Sequence, residues 1–274
     1  MDTETLASLL TISSCVIPFC AGVLGLVALG VLLVWFVRRQ WQPRSESALA
    51  GERQGMSARL ARLRARLRPW SPDGLGDLST DWDASWSRFG RALNAHGTIP
   101  ALSDPKGPDW AAFSLKVRGA RHPTGQLLAC TTAQSFSYRI TTEGVTLQAD
   151  GAPWGSILPD GTLLDDAGQP IGSAPRPGGM PARFNLGSVA YLRDERERSY
   201  PVTLRGRVVG RLANPSAQMT NVISLKKRQF PPAVVPEGVL SAEEATWLLA
   251  LAILQVAGYN LLETVWTNHS AALF

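Results

Sequence analysis

The chain has 274 residues, 45% of them hydrophobic, with 25 glycines, 19 prolines, three cysteines and a formal net charge of +5. That leaves room for one folded domain of ordinary size with a core of its own. The charge is local: the stretch 38–70 holds nine arginines against two glutamates, +7 in all, and the remainder sums to −2, which excludes a uniformly basic nucleic-acid binder.

In chain order, residues 1–14 form a short N-terminal segment carrying Asp2 and Glu4. No charged residue then occurs before Arg38, and the run CVIPFCAGVLGLVALGVLLVWFV (15–37) has 23 residues, enough for the ~20 that a bilayer core requires. The expectation is a single-pass transmembrane helix. A cleavable signal peptide fits less well, because its apolar region runs to only about 7–15 residues and its leading flank is basic rather than acidic. Arginines directly after the run (RRQWQPR) put the N-terminus outside and the rest in the cytoplasm, at the inner (plasma) membrane. Ala21, Gly25 and Ala28 share one face at i, i+4, i+7 and would let another helix approach, although Gly and Ala are common in membrane helices in any case.

The juxtamembrane stretch 38–70 contains SARLARLRARLRPW (57–70). Leu60, Leu63, Leu67 and Trp70 recur at helical spacing there, while arginines fill the other faces. This reads as a basic amphipathic helix stopped by Pro69. Arg59, Arg62, Arg64, Arg66, Arg68 and Trp70 are therefore the candidate contact residues, for an anionic membrane surface or for a partner's acidic face. A solvated helix without a ligand is the plain alternative. Residues 71–109 read as a loop-rich linker with one short helix from about Trp82 to Asn94, where Trp82, Trp86, Phe89 and Leu93 fall at i, i+4, i+7, i+11.

Residues 110–240 change to short alternating strands. FSYRITTEGVTLQA is a hairpin signature turning at Glu143-Gly144. GAPWG (151–155), GQPIG (168–172) and GRVVG (206–210) repeat one pattern between extended segments. A phosphate-binding glycine loop opens a helix and presents its N–H groups to the anion, so these three read instead as meander turns. Finally, Ser241 and Glu244 stand in capping-box spacing ahead of a helix at 241–266 that is apolar on nearly every face. Gln255, Gly258 and Asn260 interrupt it too early for a second membrane span, which favours a buried core helix, followed by a tail at 267–274. The fold class expected is a single-pass N-terminal transmembrane helix plus a mainly-β cytoplasmic domain, an antiparallel meander or barrel, with a buried C-terminal helix.

The series ADGAPWGSILPDGTLLDDAGQPIG and the closing PEGVLSAEEATWLLALAIL resemble the tubby C-terminal-like superfamily, which includes phospholipid scramblase-like and LURP-one-related proteins. The resemblance covers about half of the chain and departs from the family in its N-terminal apolar segment. It implies a closed β-barrel around a hydrophobic C-terminal helix and carries no binding residue over.

Catalytic chemistry is sparse. His96, His122 and His269 stand far apart, no Cys-x-x-Cys or HExxH occurs, Cys15 and Cys20 fall in the apolar run, and Cys130 is alone. Asp165-Asp166 reads as a surface turn, RDERER (193–198) as a hairpin tip, and the sequon at Asn268 lies on the cytoplasmic side of the expected topology. No metal, cofactor, nucleic acid or enzymatic activity is expected. Two functions fit. One is an accessory or scaffold subunit of a larger membrane protein complex, respiratory or photosynthetic assemblies being possible hosts. The other is a lipid-binding, scramblase-like module on the inner leaflet, using Arg59 to Arg68 together with Lys226, Lys227 and Arg228.

Overall fold

A computed structural model describes residues 24–35, 46–80, 83–89, 92–118, 124–175, 199–213 and 231–270. Residues 1–45 and 46–274 form two separate units. Ala21, RDERER, and Lys226 to Arg228 lie outside the described residues.

In the first unit, α1 (residues 24–35) is helical and every residue in it is exposed. Twelve residues at a rise of about 1.5 Å span about 18 Å, against the ~30 Å of a hydrocarbon core. Among the described residues no helix is long and apolar enough to cross a membrane. The expected single-pass transmembrane helix at 15–37 is thereby corrected: the described part of that run is a shorter apolar helix, and residues 15–23 and 36–37 lie outside the described set.

In the second unit, α2 (Glu46–Arg64) leads into a 3-10 turn (Pro72–Asp77) and, among the described residues, twelve strands. These are β1 (Asp83–Phe89), β2 (Ala92–Ile99), β3 (Ala111–Arg118), β4 (Thr124–Cys130), β5 (Ser135–Ile140), β6 (Val145–Ala149), β7 (Ala152–Ile157), β8 (Thr162–Leu164), β9 (Pro170–Ser173), β10 (Ser199–Leu204), β11 (Arg207–Ala213) and β12 (Val234–Pro236), and α3 (Ala242–Ser270) follows. Each strand pairs with the next, antiparallel throughout. The helix expected around Trp82–Asn94 is instead the β1–β2 hairpin. Its aromatic stripe has the helical period, but Gly90 interrupts it, aromatic residues favour strands, and pairing with β3 from Leu93 to Ile99 decides the outcome. The sheet thus begins inside the stretch read as a linker.

The two ends of the sheet are fastened by the segment just before β1. Leu78 bridges Ala101 and Ser79 bridges Pro232, with Ser79 N donating to Pro100 O at 3.0 Å and Ala233 N to Leu78 O at 2.7 Å. Through these bonds the sheet closes on itself, which removes open edges at the seam.

α3 fills the interior. Residues 246–257 are buried without interruption, more than three turns, so every face of that stretch of the helix is covered, as an all-round apolar sequence demands. Alternation in the strands supplies the lining: Phe136, Tyr138 and Ile140 of β5 and Val145, Leu147 and Ala149 of β6 are buried while Arg139, Thr146 and Gln148 face out. The register aligns Ala95, Leu115, Leu127, Tyr138, Leu147 and Gly155 as one inward row across six strands. Tyr138, fully enclosed, donates from its hydroxyl to Ala250 O of α3 at 2.9 Å, and burial pushes its pKa well above the ordinary value.

The three glycine repeats share one structural role. The first glycine of each is in a turn with positive φ: Gly151 at 82°, Gly168 at 78° and Gly206 at 80°. Asp150-Gly151 and Arg205-Gly206 are both left-handed pairs, as two-residue hairpins require. The fourth residue, Trp154, Ile171 or Val209, is then the extra residue of a β-bulge, and the second glycine resumes the pairing opposite Leu147, Leu163 or Val202. The repeat encodes a turn and a bend of the barrel wall.

Candidate functional site

The basic stretch read from the sequence lies against the outside of the barrel but is helical only to Arg64, where α2 ends, five residues before the stop expected at Pro69. Met56, Leu60, Leu63 and Leu67 face inward, and Leu60 and Leu67 form a small apolar cluster with Ala112 of β3 and Cys130 of β4, backed by Leu63 and Leu128. Glu52 pairs with Lys116 of β3 at 3.0 Å. The apolar face expected to lie on a membrane is spent on the sheet. Cys130 is buried under this helix, and that burial raises its thiol pKa.

The six candidate contact residues divide into two groups. Arg59, Arg62, Arg64 and Arg66 are exposed; Arg64 reaches Thr132 O at 2.6 Å, and Arg53 adds a further exposed cation on the same helix. Arg68 and Trp70, by contrast, are half-buried and anchor the chain where it leaves α2. Arg68 donates to Pro108 O at 2.6 Å, stacks 4.8 Å above Trp110 and lies 3.9 Å from Asp77 and 3.8 Å from Asp104. Trp70 meets Trp110 edge to face at 5.5 Å, and its backbone N–H donates to Thr132 Oγ1 at 2.7 Å.

Asp77 organises this anchor. It accepts from Trp110 Nε1 at 2.9 Å, Ser103 N at 2.7 Å and Ser103 Oγ at 2.8 Å. Burial pushes its pKa up, but the bonds from Trp110 and Ser103 and the charge of Arg68 outweigh it and hold the carboxyl below the usual range.

The β10–β11 turn grips the start of α3. Arg205 contacts Glu243 at 2.7 Å and Arg207 contacts Glu244 at 2.6 Å. The capping box is formed: Ser241 N donates to Glu244 Oε2 at 2.7 Å and Glu244 N to Ser241 Oγ at 3.2 Å. With Arg207 as the largest cause, Glu244 has its pKa lowered to about 2. The capping box was readable from four residues; the arginine partners, more than thirty residues away, left no local signal.

The remaining candidates separate. Gly25 and Ala28 lie on the exposed α1, with nothing within 4 Å of a Cβ at Gly25. Asp165 accepts from Gln169 N at 2.7 Å within a turn. Among the described residues no group of three His, Cys, Asp or Glu side chains converges to hold a metal ion. No family model matches the chain, and neither a curated protein nor a solved structure is significantly similar to it.

Proposed function

We propose that the chain is a non-catalytic accessory or scaffold subunit of a larger membrane-protein assembly, respiratory or photosynthetic assemblies being possible hosts. The observation supporting this reading is α1, whose large apolar side chains from Leu24 to Trp35 stand between 55% and 71% exposed. An apolar helix open on all sides requires an apolar covering from outside itself. The barrel interior is occupied by α3, so the domain offers partners its outer surface. The test is mild detergent extraction of the natively expressed protein, sizing of the particle and mass spectrometry of its contents. A fixed, stoichiometric set of membrane proteins is expected; a lone particle of its own mass overturns the reading.

A second reading is a tubby-like or scramblase-like anionic-lipid module. It is supported by the meander wrapped around a C-terminal helix and by the exposed Arg59, Arg62 and Arg66. Flotation with phosphatidylserine vesicles, compared with neutral ones, tests it: binding that disappears when the three arginines become glutamine favours this reading over the scaffold.

A further inference from the structure

The outward face of α2 has a pattern of its own. Gly51, Gln54, Ala58 and Ala61 of α2, continued by Ala65 in the turn just after it, recur at i, i+3, i+7, i+10, i+14 and all are exposed, the spacing of a coiled-coil seam. Met56 and Leu63 lie opposite that seam, on the side that meets the barrel. Arg62 flanks the seam on one side, with Arg59 and, just past the helix end, Arg66 beyond it; on the other side lie Arg53 and Arg64, the latter bonded to Thr132 O.

Two further features distinguish this face from an ordinary solvated one. Gly51 and Gly55 lie inside the helix, where glycine weakens it, yet a Cβ at either would meet nothing within 4 Å. Nothing within the described chain needs the room they leave. Among the described side chains of α2 the carboxylate is that of Glu52, which pairs with Lys116, and among the described residues no ion pair joins Arg53, Arg59, Arg62 or Arg66 to a carboxylate.

We propose that this arginine-bordered face of α2 docks an acidic helix of a partner protein, with glutamates beside its own seam facing Arg59, Arg62 and Arg66. The inference rests on the scaffold reading and names the partner's chemistry. Small seam residues let two helix axes approach closely, and charges beside a seam select partner and orientation. A bilayer is the poorer match, since surface helices hold to lipid by an apolar face and that face of α2 is occupied by Ala112, Leu128 and Cys130.

The test uses the full-length protein and a synthetic helical peptide about three heptads long, with Leu and Ala at its seam and Glu at the flanking positions, beside a control peptide with Gln for Glu. Binding is read by fluorescence anisotropy. The Glu peptide is expected to bind and the Gln peptide to bind about tenfold more weakly or worse, as for the loss of several charge pairs. The triple variant Arg59→Gln, Arg62→Gln, Arg66→Gln and the single variant Ala61→Trp are each expected to lose that binding while keeping the wild-type circular dichroism spectrum. Absence of peptide binding overturns the proposal. So does binding that Ala61→Trp leaves unchanged, or a preference for phosphatidylserine vesicles that survives Ala61→Trp. The native particle separates the two levels. Companions retained by the triple variant sink the docking face alone, whereas a particle with no companions sinks the scaffold reading.

Discussion

The ring of Trp247 stands 2.9 Å from the point where Gly155 would carry a Cβ, so this large side chain of the central helix sits in the hollow left by a missing one. Gly155 ends the inward row that runs through Leu127, Tyr138 and Leu147, and its φ of 155° disfavours any other residue. Gly155→Ala is expected to destabilise the domain by about 3 kcal/mol through overpacking and backbone strain. Gly151→Ala, at an open turn, costs only about 1 kcal/mol. Urea denaturation of the two variants measures the difference, and equal losses would refute the packing argument.

Acid should loosen the start of α3. Glu244 titrates at about 2 in the folded protein against about 4.3 for an unperturbed glutamate, so the folded state holds that proton more weakly than the unfolded chain. Its contribution is fully present above the unfolded value and is lost as pH falls through the folded one. Thermal melts of wild type are expected to drop more steeply than those of Glu244→Gln between about pH 5 and pH 2. Parallel curves over that window would mean the Arg207 pair does not stabilise the fold.

Removing the Asp77 carboxylate leaves Trp110 Nε1 and Ser103 N without their acceptor and Arg68 without its nearest described charge partner but one. Asp77→Ala is expected to cost about 2–3 kcal/mol. Tryptophan fluorescence should shift with it, because the Trp70–Trp110 edge contact depends on the same anchor. A variant with wild-type Tm and emission would contradict this assignment.

Leu60→Asp places a charge against Ala112 and Cys130. The expected result is release of α2 from the barrel wall, read as faster reaction of Cys130 with a thiol reagent, by about tenfold or more once burial ends. Mass spectrometry assigns the label to Cys130 rather than to Cys15 or Cys20. An unchanged rate would show that α2 does not shield the thiol.

Features encoded within a few residues of one another were legible in the sequence. The Ser241–Glu244 box, the hairpin turning at Gly144, and the glycine turns all follow from local spacing, and the apolar run of α3, interrupted from Gln255 on, pointed to a buried core helix. What failed was local pattern overridden by distant pairing. The Trp82 to Leu93 stripe has helical period, yet β3 recruits its second half into the sheet. Of the four positions read as one helix face, Leu60 and Leu63 lie on α2, whereas Leu67 and Trp70 follow its end, and only the fold could show that Leu128 and Cys130 cover the leucines. Arg68 illustrates the limit most clearly. By sequence it belongs with Arg66 as a surface cation, whereas Trp110, Pro108 and Asp77, from distant positions in the chain, make it an anchor.

The seam at Leu78–Thr80 also sets an order of assembly. The hydroxyl of Thr80 donates to Pro231 O across 151 residues, so the wall cannot be completed until nearly all its strands have been synthesised. The helix that fills it comes later still. During translation the sheet therefore exists for a time without its filling, with Phe136, Tyr138, Leu147 and their neighbours open to water, the kind of long-range pairing that folds slowly and is prone to aggregate. A ribosome-bound chain stalled before Ala242 is expected to need chaperone protection that the finished chain does not.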